Sequence, residues 1–261
     1  MRRQDVRGSL AWCAADFRSL MPGASAGLMQ LMYPDLGRGV MEHSAFVEDP
    51  FGRVYRSIPQ IWATILTPDG AARAHRIRTL HRDIKGTDDA GRRYHALDPD
   101  TFWWAHATFT WEMFRSIELF HGRQLTAAER ARFYDETVEW YERYGVSMRP
   151  VPSDLAAFEE RFAEICATEL ELTPAADYAI RIARKGPPPG RALVFGCLPR
   201  IVRERMEIPW TRNDRVAFAA LRVTVQTGGR VVPISLNQTA LRFSLRRVGA
   251  RTRDERYQLP A

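Results

Sequence analysis

An all-α fold, a bundle of many helices in a single domain, is predicted by three features of the sequence. Helix-capping residues recur along the chain, whereas the alternation of apolar and polar residues that marks strands is almost absent. Hydrophobic residues make up 45% of the 261 residues, which is enough for a sizeable core and excludes a disordered chain. The proline-rich segment near residue 187 could divide two domains, but the roughly 70 residues after it are few for an independent core, so we expect one domain over residues 1–261, with its core at about 28–248.

Cysteine usage and charge restrict the location and the partners. Cys13, Cys166 and Cys197 are an odd number at wide spacings, which predicts free thiols and a reducing, cytoplasmic location. No apolar segment is long enough for a signal peptide or a membrane helix, although peripheral contact with a membrane stays open. The net charge of +7 comes from arginines that are interleaved with acids along the whole chain, so we expect no nucleic acid partner.

Paired start and stop signals predict five helices in the middle of the chain. Each begins at a capping side chain, in two cases followed by proline at the first helical position and in one case forming a capping box. Glycine follows four of them closely or ends them. The predicted spans are Asp69–Lys85, Asp98–His121, Thr126–Gly145, Ser153–Leu170 and Thr173–Lys185.

The C-terminal third is predicted to continue as helices. The proline-rich segment Pro187–Gly190 is interpreted as a stiff connector. Two helices are expected after it, at Leu193–Met206 and Thr211–Gln226, and a last one at about Asn237–Val248. Arg230–Leu236 is the one segment that shows an alternation of apolar and polar residues, and this weak alternation indicates a strand.

The predicted helix Asp69–Lys85 carries a histidine on its apolar face. His81 shares that face with Ile77 and Ile84 by three- and four-residue spacing, so its side chain is expected to point inward. Arg78 and Arg82 flank it in sequence. The alternative is a core histidine whose ring is hydrogen-bonded to a backbone carbonyl.

The predicted helix Asp98–His121 is apolar on every side and should be buried, with a histidine near its middle. His106 has Phe102 and Trp103 one turn before it, and Phe109 and Thr110 one turn after it. A neutral imidazole in such an aromatic slot can ligate a metal or a flat macrocycle, whereas a charged one would be costly to bury. The alternative is again a core histidine that has a hydrogen-bond partner.

Common catalytic signatures are missing from the sequence. The glycine-bounded loop Gly86–Tyr94 contains neither GxGxxG nor GxxxxGK[ST], and no GxSxG or HExxH occurs in the chain. Composition and spacing therefore predict a helical protein with inward histidines. They do not indicate a particular reaction.

An ordered set of segments adds a family resemblance. The chain is similar, from about Leu28 to Leu245, to the domain shared by the latex-clearing rubber oxygenase and the mycophenolic-acid-pathway oxygenase MpaB, a family of mostly uncharacterised bacterial proteins. The most specific part is the His81 and His106 segments with the tyrosine between them. The segments that carry the resemblance are Pro34–Ser44, Asp49–Arg53, His81–Gly86, Tyr94–Pro99, Trp104–Thr108, Tyr144–Val146, Leu198–Pro199 and Ile208–Trp210.

The resemblance implies a haem b in a buried pocket of the helical bundle. His106, in its Trp-x-His-Ala segment, matches the proximal iron ligand. His81 and Arg78 are then expected near the haem as catalytic residues, and an arginine such as Arg82 would pair with a propionate. The other cofactor-binding residues that we expect are Trp103, Phe109, Thr110, His43 and Tyr94.

The function that the resemblance implies is oxygen activation by a haem enzyme. Its substrate would be small and apolar, such as an isoprenoid or unsaturated lipid, and the implied reaction is oxidative cleavage of a carbon–carbon double bond. The partners would be O₂ and an electron donor that the sequence does not identify. Two alternatives stay open: a non-enzymatic haem protein for sensing or storage, and a helical interaction protein without a cofactor.

Overall fold

The computed structural model describes residues 8–88, 91–232, 235–239, 241 and 243. The regular structure of these residues is helical, apart from two short strands, which confirms the all-α prediction. In chain order the first helices are α1 (Leu10–Ala14), a 3-10 turn (Phe17–Leu20), α2 (Gly23–Met32), α3 (Pro34–His43), α4 (Pro50–Leu66) and α5 (Gly70–Leu80). After the strands β1 (Lys85–Thr87) and β2 (Arg93–His95) come α6 (Pro99–Phe120), α7 (Ala127–Glu142), α8 (Leu155–Thr168), α9 (Pro174–Lys185), α10 (Pro188–Cys197), α11 (Arg200–Arg205) and α12 (Arg212–Val231).

The long helix α6 is the centre of the bundle. Side chains on all sides of it are buried, as its uniformly apolar sequence predicts. It packs against α1, α2, α3, α7 and α12. The buried Trp104 indole donates a hydrogen bond to the Met29 carbonyl of α2 at 3.3 Å, and Ser116 Oγ donates to the Arg18 carbonyl at 2.7 Å. The helix that carries His106 is therefore held on several sides.

The predictions for α6, α7 and α9 are confirmed at their caps. The Asp98 carboxylate accepts hydrogen bonds from the first backbone N–H groups of α6, with proline at the first helical position. Thr126 and Glu129 form the reciprocal capping box of α7. Thr173 caps α9, which ends at Lys185 as expected. For α8 the prediction is one residue off, because Asp154 rather than Ser153 accepts the capping bond.

The prediction that α5 runs to Lys85 is wrong, because the helix ends at Leu80. The Asp69 side chain also makes no capping bond and instead accepts from Thr67 and Arg73. The chain turns at His81, whose N–H donates to the Arg78 carbonyl three residues earlier, which is a tightened last turn.

A two-stranded antiparallel sheet occupies the segment in which the sequence indicated only a loop. Its register pairs Lys85 with His95 and Gly86 with Tyr94. A Cβ on Gly86 would lie 2.6 Å from the Tyr94 hydroxyl oxygen, so only glycine lets this ring cover the strand. Pairing across the strands supplies backbone partners that a longer α5 would have supplied within the helix.

Three predictions for the C-terminal third are wrong. Pro187–Gly190 is not a connector, because Pro188 and Pro189 form the first turn of α10, where a missing N–H costs nothing. Leu193–Met206 is two helices, α10 and α11, separated at Pro199. Arg230–Leu236 contains no strand among its described residues, since α12 continues to Val231 and residues 235 and 236 are helical. The last predicted helix is confirmed at residues 237–239, 241 and 243, and its other residues lie outside the described part.

The helices before Asp69 were not predicted from the sequence. Glycine and small residues in α2 and α3, and Pro59 inside α4, weaken the local helix signal. Their stability comes from packing, since Trp62 of α4 and Met29 of α2 are fully buried in the main core. Cys13, Cys166 and Cys197 are buried free thiols, as predicted. None of the described helices combines the length and the apolar character that a membrane span requires.

Candidate functional site

His106 is buried in the contact between α6 and α7. The residue is 7% exposed, and its Nε2 lies 3.0 Å from the Thr137 carbonyl oxygen. The imidazole packs against the Trp140 ring at 4.5 Å and the Tyr141 ring at 5.0 Å between centroids. The aromatic slot predicted around this residue is therefore built mainly by α7, and the hydrogen bond is the one expected of a core histidine.

Burial keeps the His106 ring neutral. Desolvation lowers its pKa to about 3, against which the Thr137 carbonyl acts only weakly. Nε2 carries the proton that it donates to that carbonyl, which assigns the lone pair to Nδ1. An imidazole that binds a metal does so through an unprotonated nitrogen, while its other nitrogen donates a hydrogen bond.

His81 lies just after the end of α5 and is half-buried. Its Nδ1 is 2.7 Å from the Ile77 carbonyl oxygen, and its ring meets the edge of Phe102 at 6.1 Å. Burial lowers the pKa of His81, and the Arg53 charge lowers it further. The inward orientation predicted for this residue is present, and the hydrogen bond through Nδ1 leaves Nε2 as its available atom.

An aromatic wall of Phe102, Tyr141 and Tyr144 joins the surroundings of the two histidines. Phe102 lies 5.4 Å from Tyr144 and 6.1 Å from Tyr141 between ring centroids. Tyr144 in turn lies 6.2 Å from His106. His81 and His106 therefore contact one aromatic wall from two directions, which is the juxtaposition that sequence spacing did not give.

The two arginines beside His81 have different surroundings. Arg78 is half-buried, and its guanidinium donates a hydrogen bond to the Gly145 carbonyl oxygen at 2.7 Å. Gly145, at φ 64°, makes the left-handed turn that ends α7 beside the aromatic wall. Arg82 is 70% exposed and pairs with Asp83 at 3.4 Å. Only Arg78 therefore joins the group around the wall.

The remaining cofactor-binding residues predicted on α6 point in several directions. Trp103 packs against Phe158 of α8 at 6.4 Å between ring centroids. Phe109 lies between Trp62 at 6.0 Å and Trp140 at 6.3 Å. Thr110 is buried. Of these three, Phe109 alone has a ring contact with a residue that touches His106.

His43 and Tyr94 form a separate cluster with Glu42. The Tyr94 hydroxyl donates a hydrogen bond to the Glu42 carboxylate, and His43 Nε2 lies 3.1 Å from the same hydroxyl. Burial and the Glu42 charge raise the pKa of Tyr94 above its ordinary range. Within the described residues, no hydrogen bond or ring contact links this cluster to His106 or His81.

Two titratable residues whose buried polar atoms lack a partner among the described residues were not identified from the sequence. Glu112, one helical turn and a half beyond His106, is fully buried, and neither carboxylate oxygen has a partner in the described part of the chain. Burial raises its pKa well above the ordinary value. His121 Nε2 is likewise buried without a partner. A polar residue inside an all-apolar helix is the signal for Glu112, and nothing in the sequence marks His121. Among the described side chains, no three His, Cys, Asp or Glu residues form a metal-binding group.

Comparison with known proteins identifies the family. A sequence model described as "ER-bound oxygenase mpaB/B'/Rubber oxygenase, catalytic domain" matches residues 11–227. No curated protein and no solved structure matches the chain. The matched stretch includes both histidines, the aromatic wall and all the helices from α2 to α11. The chain therefore belongs to the family of mpaB-type and rubber oxygenases, and most of its length is their catalytic domain.

Proposed function

We propose that the protein is a haem-dependent oxygenase acting on a small apolar substrate. The observation that carries this proposal is the family match over residues 11–227, within which two histidines flank one aromatic wall. Haem would supply the activation of O₂, and an electron donor would supply the reducing equivalents. The free thiols of Cys13, Cys166 and Cys197 support a reducing, cytoplasmic location.

The residues around His106 fit a haem in chemistry but not in space. A neutral, buried imidazole beside aromatic rings is a suitable iron ligand. However, Nε2 already donates to Thr137, and the Trp140 and Tyr141 rings cover the imidazole. Ligation through Nδ1 would keep that hydrogen bond, but it would require the aromatic side chains of α7 to move. We therefore derive no reaction step through a haem at this position.

His81 is the alternative ligand. Its Nδ1 is bonded to the Ile77 carbonyl, which is the usual support of a metal-binding histidine, and its Nε2 is available. In this arrangement Arg78, beside the wall, is better placed than the exposed Arg82 to bind a carboxylate such as a haem propionate. The assignment of His106 as the proximal ligand rests on the family resemblance, and the assignment of His81 rests on its hydrogen bonding.

The apolar substrate class is supported by the composition of the wall. Phe102, Tyr141 and Tyr144 offer ring faces and few hydrogen-bonding groups, because the Tyr141 hydroxyl already donates to the Ser147 carbonyl. The wall is buried, and apolar rings of this kind favour a hydrocarbon chain over a polar substrate. Cleavage of a carbon–carbon double bond in an isoprenoid or unsaturated lipid is the reaction that the rubber oxygenase analogy adds.

The test is expression with haem supply, followed by a visible spectrum and oxygen-uptake assays with a reductant and a panel of unsaturated lipids. His106→Ala is expected to lose haem or change the axial spectrum and to abolish oxygen uptake. His81→Ala is expected to retain haem with altered oxygen reactivity. The matched control is His95→Ala, whose ring is hydrogen-bonded to the Arg82 carbonyl before β1 and accepts from the Leu97 N–H after β2.

Each other outcome has a defined meaning. Exchanged phenotypes assign the iron to His81. A Soret band without oxygen uptake supports a haem protein for sensing or storage. No Soret band in the wild-type protein under any condition overturns haem dependence and supports the cofactor-free interpretation.

A further inference from the structure

A cleft of about 430 Å³ lies where the C-terminal ends of α6 and α12 meet α1. Its apolar surface includes Trp12, Ile117 and Leu125, and its polar side chains include His121 and Arg230. His121 is fifteen residues beyond His106 along α6, which at 1.5 Å per residue places the two about 22 Å apart. The cleft is thus remote from the aromatic wall.

His121 is the unusual group of this cleft. Its side chain is buried, with 7% exposure of the residue, and its Nε2 has no hydrogen-bond partner among the described residues. The nearest aromatic ring is that of Trp12, at 6.0 Å. Burial, together with the charge of Arg18, lowers its pKa to about 4, so the ring is neutral at pH 7. A buried polar atom that lacks a partner among the described residues is a candidate contact for a ligand.

The charges around the cleft leave one cation without an acid. Arg18 is buried in a bidentate pair with Asp16, and Arg123 pairs with Glu129. Arg230 has no acidic group within ion-pair distance in the part of the chain that the structure describes. Its Nη2 and Nε lie 3.5 and 3.6 Å from where a Cβ on Gly122 would stand, so the guanidinium covers the end of α6.

The end of α6 does not neutralise Arg230. The negative end of a helix attracts cations through its free carbonyl groups. Here the Leu119 carbonyl already accepts from Gln226 at 2.9 Å, and the Phe120 carbonyl accepts from Arg18 at 3.5 Å. The guanidinium of Arg230 is therefore available for an anion in the cleft.

We propose that this cleft is a second ligand site, which binds a small organic carboxylate with an alkyl or aryl body. Arginine binds both oxygens of a carboxylate, and the volume lies within the range of small-molecule pockets. The body of the ligand would pack on Trp12, Ile117 and Leu125, and the imidazole of His121 would gain a polar partner. Neither the family match nor the proposed oxygenase function assigns a role to this cleft.

The test compares octanoate with 1-octanol by isothermal titration calorimetry on the full chain. Octanoate is expected to bind one to one and roughly fivefold or more tightly than 1-octanol, because only the carboxylate pairs with arginine. Arg230→Gln should abolish that difference while leaving 1-octanol binding unchanged. Arg212→Gln is the matched control, since Arg212 is exposed at the opposite end of the same helix. His121→Phe should weaken octanoate binding at least threefold.

Two results would overturn the proposal. One is equal binding of octanoate and 1-octanol to the wild-type protein, or no saturable binding of either. The other is an Arg230→Gln variant that binds octanoate as tightly as Arg212→Gln does. If His121→Phe does not fold, the two arginine variants decide the question. Octanoate binding that persists in His106→Ala places it outside the proposed haem site, so failure of the oxygenase proposal leaves this one intact.

Discussion

Replacement of His106 by phenylalanine tests the buried, neutral histidine directly. The variant keeps a flat ring and removes the donor to the Thr137 carbonyl, which lies 3.0 Å from Nε2. At pH 7.5 we expect a loss of about 0.5–1.5 kcal/mol in the free energy of unfolding, because the hydrogen bond that His106 adds to this helical carbonyl is lost. The informative quantity is how this difference between variant and wild type changes with pH.

The pH dependence follows from the difference between folded and unfolded pKa values. The pKa of His106 is about 3 in the folded protein and 6.5 in its ordinary state. As pH falls below 6.5 the unfolded chain binds the proton first, so the stability contributed by the neutral ring is complete above pH 6.5 and lost towards pH 3. Between pH 7.5 and pH 5 the wild type should lose about 2 kcal/mol through this residue, at roughly 1.4 kcal/mol per pH unit below 6.5. The phenylalanine variant cannot lose it.

The assay is urea unfolding of both proteins, purified without added haem, at pH 7.5 and pH 5. The unfolding free energy of the wild type minus that of the variant should fall by about 2 kcal/mol at the lower pH. Subtracting the variant from the wild type removes the contributions of the other histidines. The same replacement at the exposed His75 is the control for the change of residue type. A His106 difference that is equal at the two pH values would refute the neutral, buried histidine.

Three further predictions concern packing, a buried acid and the thiols. Gly27→Ala should stabilise the protein by about 0.5–1 kcal/mol, because no atom lies within 4 Å of the new methyl group. Gly37→Ala should destabilise it by about 1–3 kcal/mol, because the new Cβ would stand 2.5 Å from the Leu31 carbonyl oxygen. Thermal melting of the two variants measures both effects. Glu112→Gln should become more stable relative to wild type as pH rises above 4.5, because the raised folded pKa makes the acid favourable only at low pH; urea midpoints at pH 5 and pH 8 that move in parallel would contradict this. Thiol titration should count three free thiols in denaturant with or without reductant, and slow reaction in the native protein, since burial raises the pKa of all three; these are Cys13, Cys166 and Cys197.

Local signals in the sequence determined the fold class and the best-bounded helices. Asp98 before Pro99 and the Thr126–Glu129 capping box predicted where α6 and α7 begin, because a cap uses only neighbouring residues. The free thiols also followed from the number and spacing of the cysteines. Where a long-range partner decides the structure, the same reasoning was wrong. The hairpin pairing of Gly86 with Tyr94 ended α5 five residues early.

The candidate site shows the same division. Uniform apolarity around α6 predicted that His106 is buried and neutral, because a helix without a polar face can lie only inside the protein. The neighbours of its ring are decided by α7, about thirty residues further along the chain. This helix supplies the Thr137 carbonyl that accepts from Nε2 and the Trp140 ring that packs against the imidazole. Two further features also depend on helix packing. One is the aromatic wall that His81 and His106 share, and the other is the cleft between α1, α6 and α12, where His121 Nε2 has no partner among the described residues. Side-chain neighbours across helices are set by the packing of whole surfaces, and periodicity along one helix carries no information about its partner.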